Sequence, residues 1–222
     1  MSNSILVLGE SGAGKSTSIR NLNPKETYII NVLDKPFPFR GYKKMYGKDY
    51  KNYHSTSDYR EISKCIHWVN TQRPDIKTLI LDDFQYVMAT EFMDRAMEKG
   101  YDKWSELGKH VWDIFNLLIS TRPDLYTFVL THSDTDAAGK HKIKTLGKLL
   151  DEKVTLEGMF TVILHSKIID GRYVFINQND GIHLAKSPMG LFADKIIDND
   201  LQYVLTNLYE FNDDINDQGE DE

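Results

Sequence analysis

A chain of 222 residues, 41% hydrophobic and 27% charged, has room for one sizeable α/β core and is tight for two. Its apolar runs fall far short of a membrane span, no basic-then-apolar leader opens it, and its single cysteine, Cys65, permits neither an internal disulfide nor a Cys-rich zinc site. We therefore expect a cytoplasmic protein without a membrane segment, with Cys65 buried in a helix. The net charge of −6 is concentrated at one end: residues 210–222 hold seven acids and no Lys or Arg, so removing them leaves +1. Residues 1–209 are expected to form the folded domain and residues 210–222 a disordered acidic tail, either solubilising or a handle for a partner protein.

In chain order, residues 4–8 read as a short apolar strand, followed by a glycine-rich loop and a helix over about 15–22 that stops before Asn23-Pro24. Residues 28–33 form a second strand, rich in β-branched side chains and closed by Pro36 and Pro38. Thr56, Ser57 and Asp58 offer caps for a helix carrying Ile62, Ile66 and Val69. A buried strand over 78–81 follows, then two helices with core-facing stripes, Met88, Phe92 and Ala96 on the first and Trp104, Leu107, Val111, Phe115 and Leu118 on the second. Residues 125–131 form the next strand. Residues 159–184 read as consecutive strands with turns at Asp170-Gly171 and Asn179-Asp180-Gly181, and a last helix spans about 194–208. Alternating strands and helices predict a three-layer α/β fold: a mostly parallel sheet, helices on both faces, a hairpin-like extension at one edge, and ligand sites at the strands' carboxyl ends.

Gly9-Glu10-Ser11-Gly12-Ala13-Gly14-Lys15-Ser16 satisfies GxxxxGK[ST] between a predicted strand and a predicted helix. Such a loop curls its backbone N–H groups toward phosphate oxygens, its lysine reaches the β and γ phosphates, and Ser16 supplies a Mg²⁺ ligand, with Thr17 next in the site. Leu79-Ile80-Leu81-Asp82-Asp83 has the form of a Walker B strand, which assigns Asp82 to Mg²⁺. The water-activating carboxylate is either Asp83, directly after it, or Asp34, at the end of the second strand; spacing leaves both open. His132, in Thr131-His132-Ser133-Asp134, is either a sensor of the γ-phosphate or a plain polar residue at a strand end. The remaining histidines, His54, His67, His110, His141, His165 and His183, show no metal-like spacing. The chain lacks the base-reading lysine and DxxG of GTPases, so ATP is the expected nucleotide.

Four strings, NVLDKPFPFRGYKKMYG, LILDDFQYVM, THSD and GIHLAKSPMGLF, resemble a group of small phage-encoded AAA-type ATPases with a RecA-like core of the additional-strand class, related to phage single-strand annealing recombinase-like proteins. The resemblance runs over most of residues 5–208 and implies ATP-dependent handling of single-stranded DNA in phage recombination or replication. It also implies a head-to-tail homo-oligomer whose neighbours share ATP sites. In such assemblies a basic residue at the place of Lys186 reaches the neighbouring γ-phosphate; the plain alternative is a surface lysine beside a Pro-Met-Gly turn. The acidic tail would then face a phage or host replication or recombination protein.

Two segments are candidates for DNA contact. Residues 34–53 place six basic residues, Lys43 and Lys44 among them, between aromatic rings, the combination of sequence-tolerant single-strand binders, or else of a satellite core of packed rings. Residues 137–144 carry Lys140, Lys142 and Lys144 without an acid and follow the strand of His132; the alternative is a solvated lysine loop. Besides a DNA-dependent ATPase, the chain's length and loop permit a small nucleotide or metabolite kinase or a nucleotide-dependent regulatory switch.

Overall fold

The computed structural model describes residues 3–100, 102–146 and 154–217. The strands are β1 (Ser4–Gly9), β2 (Thr27–Asn31), β3 (Tyr53–Ser55), β4 (Thr78–Asp82), β5 (Tyr126–Thr135), β6 (His141–Ile143), β7 (Val162–Ile169), β8 (Arg172–Ile176) and β9 (Ile196–Asp198). The α-helices are α1 (Tyr59–Gln72), α2 (Gln85–Asp94), α3 (Asp102–Ile119) and α4 (Leu201–Asp217). The main sheet runs β3-β2-β4-β5-β1-β7-β8-β9. From β3 to β7 every pair is parallel, whereas β8 and β9 join antiparallel. This is the mixed, mostly parallel α/β sheet that the order of elements predicts.

Strand periodicity builds the two faces. Leu6, Leu8, Ile30, Leu79, Leu81, Val129 and Ile163 pack with Ile62, Ile66 and Val69 of α1, Val87 and Met88 of α2, and Val111, Ile114, Phe115 and Leu118 of α3. Their neighbours Ile5, Val7, Ile29, Ile80, Phe128, Leu130 and Leu164 point the other way, onto Ile19, Leu22 and the Leu201, Val204, Leu205 and Leu208 stripe of α4. Alternate residues of each strand therefore serve different layers, and the sheet is the middle one of three. Each fully buried Phe in these layers, such as Phe84, Phe115 and Phe128, contributes roughly 1.5–3 kcal/mol by leaving water.

Local chemistry sets the ends of α1: Asp58 caps it by accepting from the Arg60 N–H at 2.8 Å, and Arg73 stops it before Pro74. The β7–β8 hairpin turns at Asp170 (φ 50°) and Gly171 (φ 75°), the left-handed pair that a two-residue hairpin demands.

Several boundaries differ from expectation. Residues 15–22 give only a 3₁₀ turn over Ser16–Asn21. The Asn179-Asp180-Gly181 turn does not lead into a strand, because Asp180 Oδ1 takes the N–H groups of Ile182 and His183 at 3.0 and 2.7 Å and bends the chain into a loop. The final helix begins at Leu201, since residues 196–198 pair with β8 and Asp200 accepts from the Gln202 N–H at 2.9 Å. It then continues past Glu210 to Asp217, so the acid-rich segment is helical through that point, and residues 218–222 lie outside the described residues. Cys65 is in a helix as expected, though only half-buried. No described helix is long and apolar enough to cross a membrane.

Candidate functional site

The glycine loop leaves β1 at Gly9, where a Cβ would stand 2.6 Å from the Ser166 carbonyl oxygen, so only glycine lets the loop approach β7. Gly14 turns with φ 100°, and a Cβ there would meet the Tyr173 ring at 2.7 Å. Ser166 donates its hydroxyl to the Ala13 carbonyl at 2.6 Å, and Asn199 donates to Ser166 Oγ at 3.0 Å, which braces the loop from the β7 side. Glu10, Ser11 and Gly12 are exposed at its tip, whereas Ala13, Gly14 and Lys15 are buried and Thr17 is half-buried. Lys15 Nζ donates to the carbonyls of Gly9 and Glu10, both at 2.8 Å. Burial brings this ammonium down to about 8, against the pull of Asp82 and Asp83.

One strand, β5, separates β1 from β4, yet Ser16 Oγ donates to Asp82 Oδ1 at 3.0 Å. Asp82 is 3% exposed. Burial, then the neighbouring Asp83, push its carboxyl up to about 7, opposed by the Ser16 hydroxyl and by Lys35 and Lys15. Asp83 takes a left-handed backbone (φ 60°), which Asp tolerates better than most residues. Its Oδ2 meets Lys35 Nζ at 2.6 Å and its Oδ1 lies 3.7 Å from His132 Nε2. Burial works to raise the Asp83 carboxyl, but the nearby His132 and Lys35 outweigh it and hold it below the ordinary carboxylate value. Burial likewise opposes the Lys35 charge, and the bond to Asp83 outweighs it.

Register explains the convergence. Gly9 is paired with His132, Asn31 with Asp82 and Leu81 with Val129, so the parallel strands β1, β2, β4 and β5 all end toward the sheet's carboxyl edge. Asn31 donates to the Lys35 carbonyl at 2.8 Å, which folds the start of the next loop back over Asp83.

Of the residues singled out from sequence, Lys15, Ser16, Asp82, Asp83 and His132 are brought together here. Asp34 also has a left-handed backbone (φ 55°), but it is exposed and accepts from the Tyr53 hydroxyl at 2.7 Å, on the side of the aromatic segment. Lys186 is away from its own glycine loop: its backbone bridges Ile163, which is level with Leu6 in mid-strand, and its side chain is exposed.

The rings of residues 34–53 pack on one another, with Phe37 within 6.3 Å of Phe39, Tyr42, Tyr46 and Tyr53, which is the satellite-core arrangement. Lys43 and Lys44 are exposed on a 3₁₀ turn beside that cluster, and the Lys48 side chain lies outside the described residues. Lys140, Lys142 and Lys144 are on a hairpin, since β6 pairs antiparallel with Ser133, Asp134 and Thr135, and Lys140 and Lys144 are exposed.

Sequence reasoning missed Lys35, whose charge looked like part of a basic string, and Ser166 and Asn199, for which no local signal exists. The histidines have no metal-like spacing in the sequence, but the fold brings three of them together: His141, His165 and His183 each offer a nitrogen within 4.8 Å of the others. No protein-family model matches the chain, and no curated protein matches it in sequence.

Proposed function

We propose that this chain is a Mg²⁺-dependent ATPase of the P-loop class with a RecA-like strand order, acting on single-stranded DNA as a head-to-tail oligomer. The reading is carried by the 3.0 Å contact between Ser16 Oγ and Asp82 Oδ1, which joins the glycine loop to a carboxylate on a non-adjacent strand. A hydroxyl beside a carboxylate is a hard oxygen pair suited to Mg²⁺, and a fully buried Asp82 lifted in pKa is a carboxylate that a cation would relieve. When bound, Mg²⁺ would neutralise and orient the β and γ phosphates.

The protein groups then have separable tasks. Lys15 exchanges its two carbonyl partners for phosphate oxygens. Asp83, kept ionised by Lys35 and His132, accepts a hydrogen bond from the attacking water and orients it. We favour Asp83 over Asp34 because only Asp83 touches groups of this site. Asp34→Asn should therefore turn over ATP at close to the wild-type rate, and a loss as large as that of Asp83→Asn would reassign the base.

DNA contact is assigned to the β5–β6 hairpin, which extends beyond the level of Gly9 on the same edge as the glycine loop. Replacing Lys140, Lys142 and Lys144 together by Ala should weaken single-strand binding and flatten its log–log salt slope by up to about 2, from about 0.7 per lost phosphate contact. An unchanged slope would move the DNA site toward Lys43 and Lys44. The exposed Lys186 is assigned to the neighbour's ATP site. Lys186→Ala and Lys15→Ala chains, each inactive alone, should regain activity when mixed, because about a quarter of head-to-tail interfaces then join two intact halves. No recovery in proven co-assemblies would remove Lys186 from that role.

The test of the whole reading is ATP hydrolysis with and without single-stranded DNA, using Lys15→Ala as control. Stimulation by DNA is expected; phosphate transfer to a nucleotide acceptor in place of hydrolysis would overturn it.

A further inference from the structure

Three imidazoles from separate parts of the chain meet beside the glycine loop. His141 opens β6, tied by its N–H to the Ile182 carbonyl at 2.8 Å; His165 lies in β7 opposite Leu8 of β1; His183 sits in the loop held by Asp180. Their ring centroids are 4.6 Å (His141 to His165), 4.9 Å (His165 to His183) and 5.2 Å (His141 to His183) apart. We propose that His141, His165 and His183 together bind one divalent d-block cation of the Zn²⁺ class, in the cleft beside Glu10, Ser11, Gly12 and Ala13.

Four observations carry this. The nitrogens converge to within 4.8 Å, and they are the one such three-residue group of His, Cys, Asp or Glu among the described residues. Tetrahedral Zn²⁺ with nitrogens at 2.0–2.1 Å needs them about 3.3 Å apart, which rotations moving each ring by about 1 Å would supply. Second, the Nδ1 atoms of His165, 2% exposed, and of His141 are buried without a hydrogen-bond partner. An unpaired buried ring nitrogen is costly in an ordinary packed cluster and is what a metal would satisfy. Third, His183 is already oriented as a ligand: its Nδ1 meets Asp180 Oδ2 at 2.6 Å, the carboxylate–imidazole support common behind metal-bound histidines, and this leaves Nε2 as the lone pair. Fourth, that Nε2 faces the Lys167 ammonium at 2.8 Å, so it already serves a cation, and Lys167 is an exposed side chain free to swing into solvent.

Burial favours the uncharged, ligating form. His165 is brought down to about 3, by burial first and then by His141 and His183, and His141 is lowered for the same leading reason. His141 and His165 line a cleft of about 440 Å³ together with Glu10 and Lys167, which leaves room for water or an oxygen of a ligand as a fourth donor. Three nitrogen donors favour Zn²⁺, Co²⁺ or Ni²⁺ over Mg²⁺, so this site is chemically distinct from the oxygen pair of Ser16 and Asp82 and does not depend on the nucleotide reading.

The test uses the full chain stripped with a chelator and titrated with Zn²⁺ by calorimetry and with Co²⁺ by visible absorption. We expect one ion per chain and the intense d–d bands of four- or five-coordinate Co²⁺. His165→Ala should weaken binding about 100-fold or more, and Asp180→Asn about 10- to 100-fold. Because His165 is a core residue, His183→Ala and His141→Ala, in the loop and the hairpin, are the paired variants whose folding is less at stake; each should also lose the Co²⁺ bands. Asp82→Asn should keep them. Absence of stoichiometric binding by the wild-type chain, binding that survives all three histidine substitutions, or binding lost in Asp82→Asn would each overturn the proposal.

Discussion

Replacing Lys15 by Ala is expected to reduce ATP turnover by about 100-fold or more, the usual size of losing one preorganised charge on a reacting group. The side chain is nearly buried, and its ammonium, lowered to about 8 by burial, donates to the Gly9 and Glu10 carbonyls at 2.8 Å. Its removal leaves those two carbonyls with less hydrogen bonding, a cost on the order of 1–2 kcal/mol, small beside the core that α1, α3 and β1 share. Far-UV circular dichroism should therefore be unchanged while hydrolysis disappears. Turnover within a few-fold of wild type would remove the glycine loop from the chemistry.

Asp82→Asn should separate stability from function more sharply. Asp82 is buried beside a second carboxylate that stays ionised, and burial and Asp83 both disfavour its charge. An amide can still accept from Ser16, so the variant is expected to unfold at the same temperature as wild type or higher when no nucleotide is present. Mg²⁺-dependent hydrolysis should nevertheless fall by about 100-fold or more, because the proposed cation loses its charged partner. Asp83→Asn should behave differently, keeping nucleotide binding while slowing turnover. An Asp82→Asn protein that hydrolyses ATP normally would dissociate the Ser16–Asp82 contact from catalysis.

These expectations rest on features that were unevenly legible in the sequence. The glycine loop and the apolar strand ending in Asp82 could be read locally, because each needs a fixed residue type at a fixed spacing. The alternation of strands and helices likewise carried the parallel sheet, and the stripes of α1 and α3 carried its covering layer. What escaped was set by tertiary pairing. Ile196, Ile197 and Asp198 were read as helix because their apolar pattern is short and ambiguous, but β8 offers them an open edge. The 3₁₀ turn over Ser16–Asn21 replaced a longer expected helix within the constraints of the loop before it and Pro24 after it. Lys35 was counted with its basic neighbours, since nothing in NVLDKPF reveals that Asn31 holds the Lys35 carbonyl and folds the chain over Asp83. The three clustered histidines were invisible for the same reason: β6, β7 and the Asp180 loop are far apart in sequence, and only the sheet edge brings them to one place.

Residues 9–16 and Asp82 are proposed to form one site for Mg²⁺ and ATP. Calorimetric titration of the nucleotide-free chain with ATP in the presence of Mg²⁺ tests it most directly, because it reads binding without requiring turnover or DNA. One ATP per chain is expected, with affinity that falls when Mg²⁺ is chelated and is lost in Lys15→Ala. No binding by the wild-type chain, or binding indifferent to both Mg²⁺ and Lys15, would contradict it.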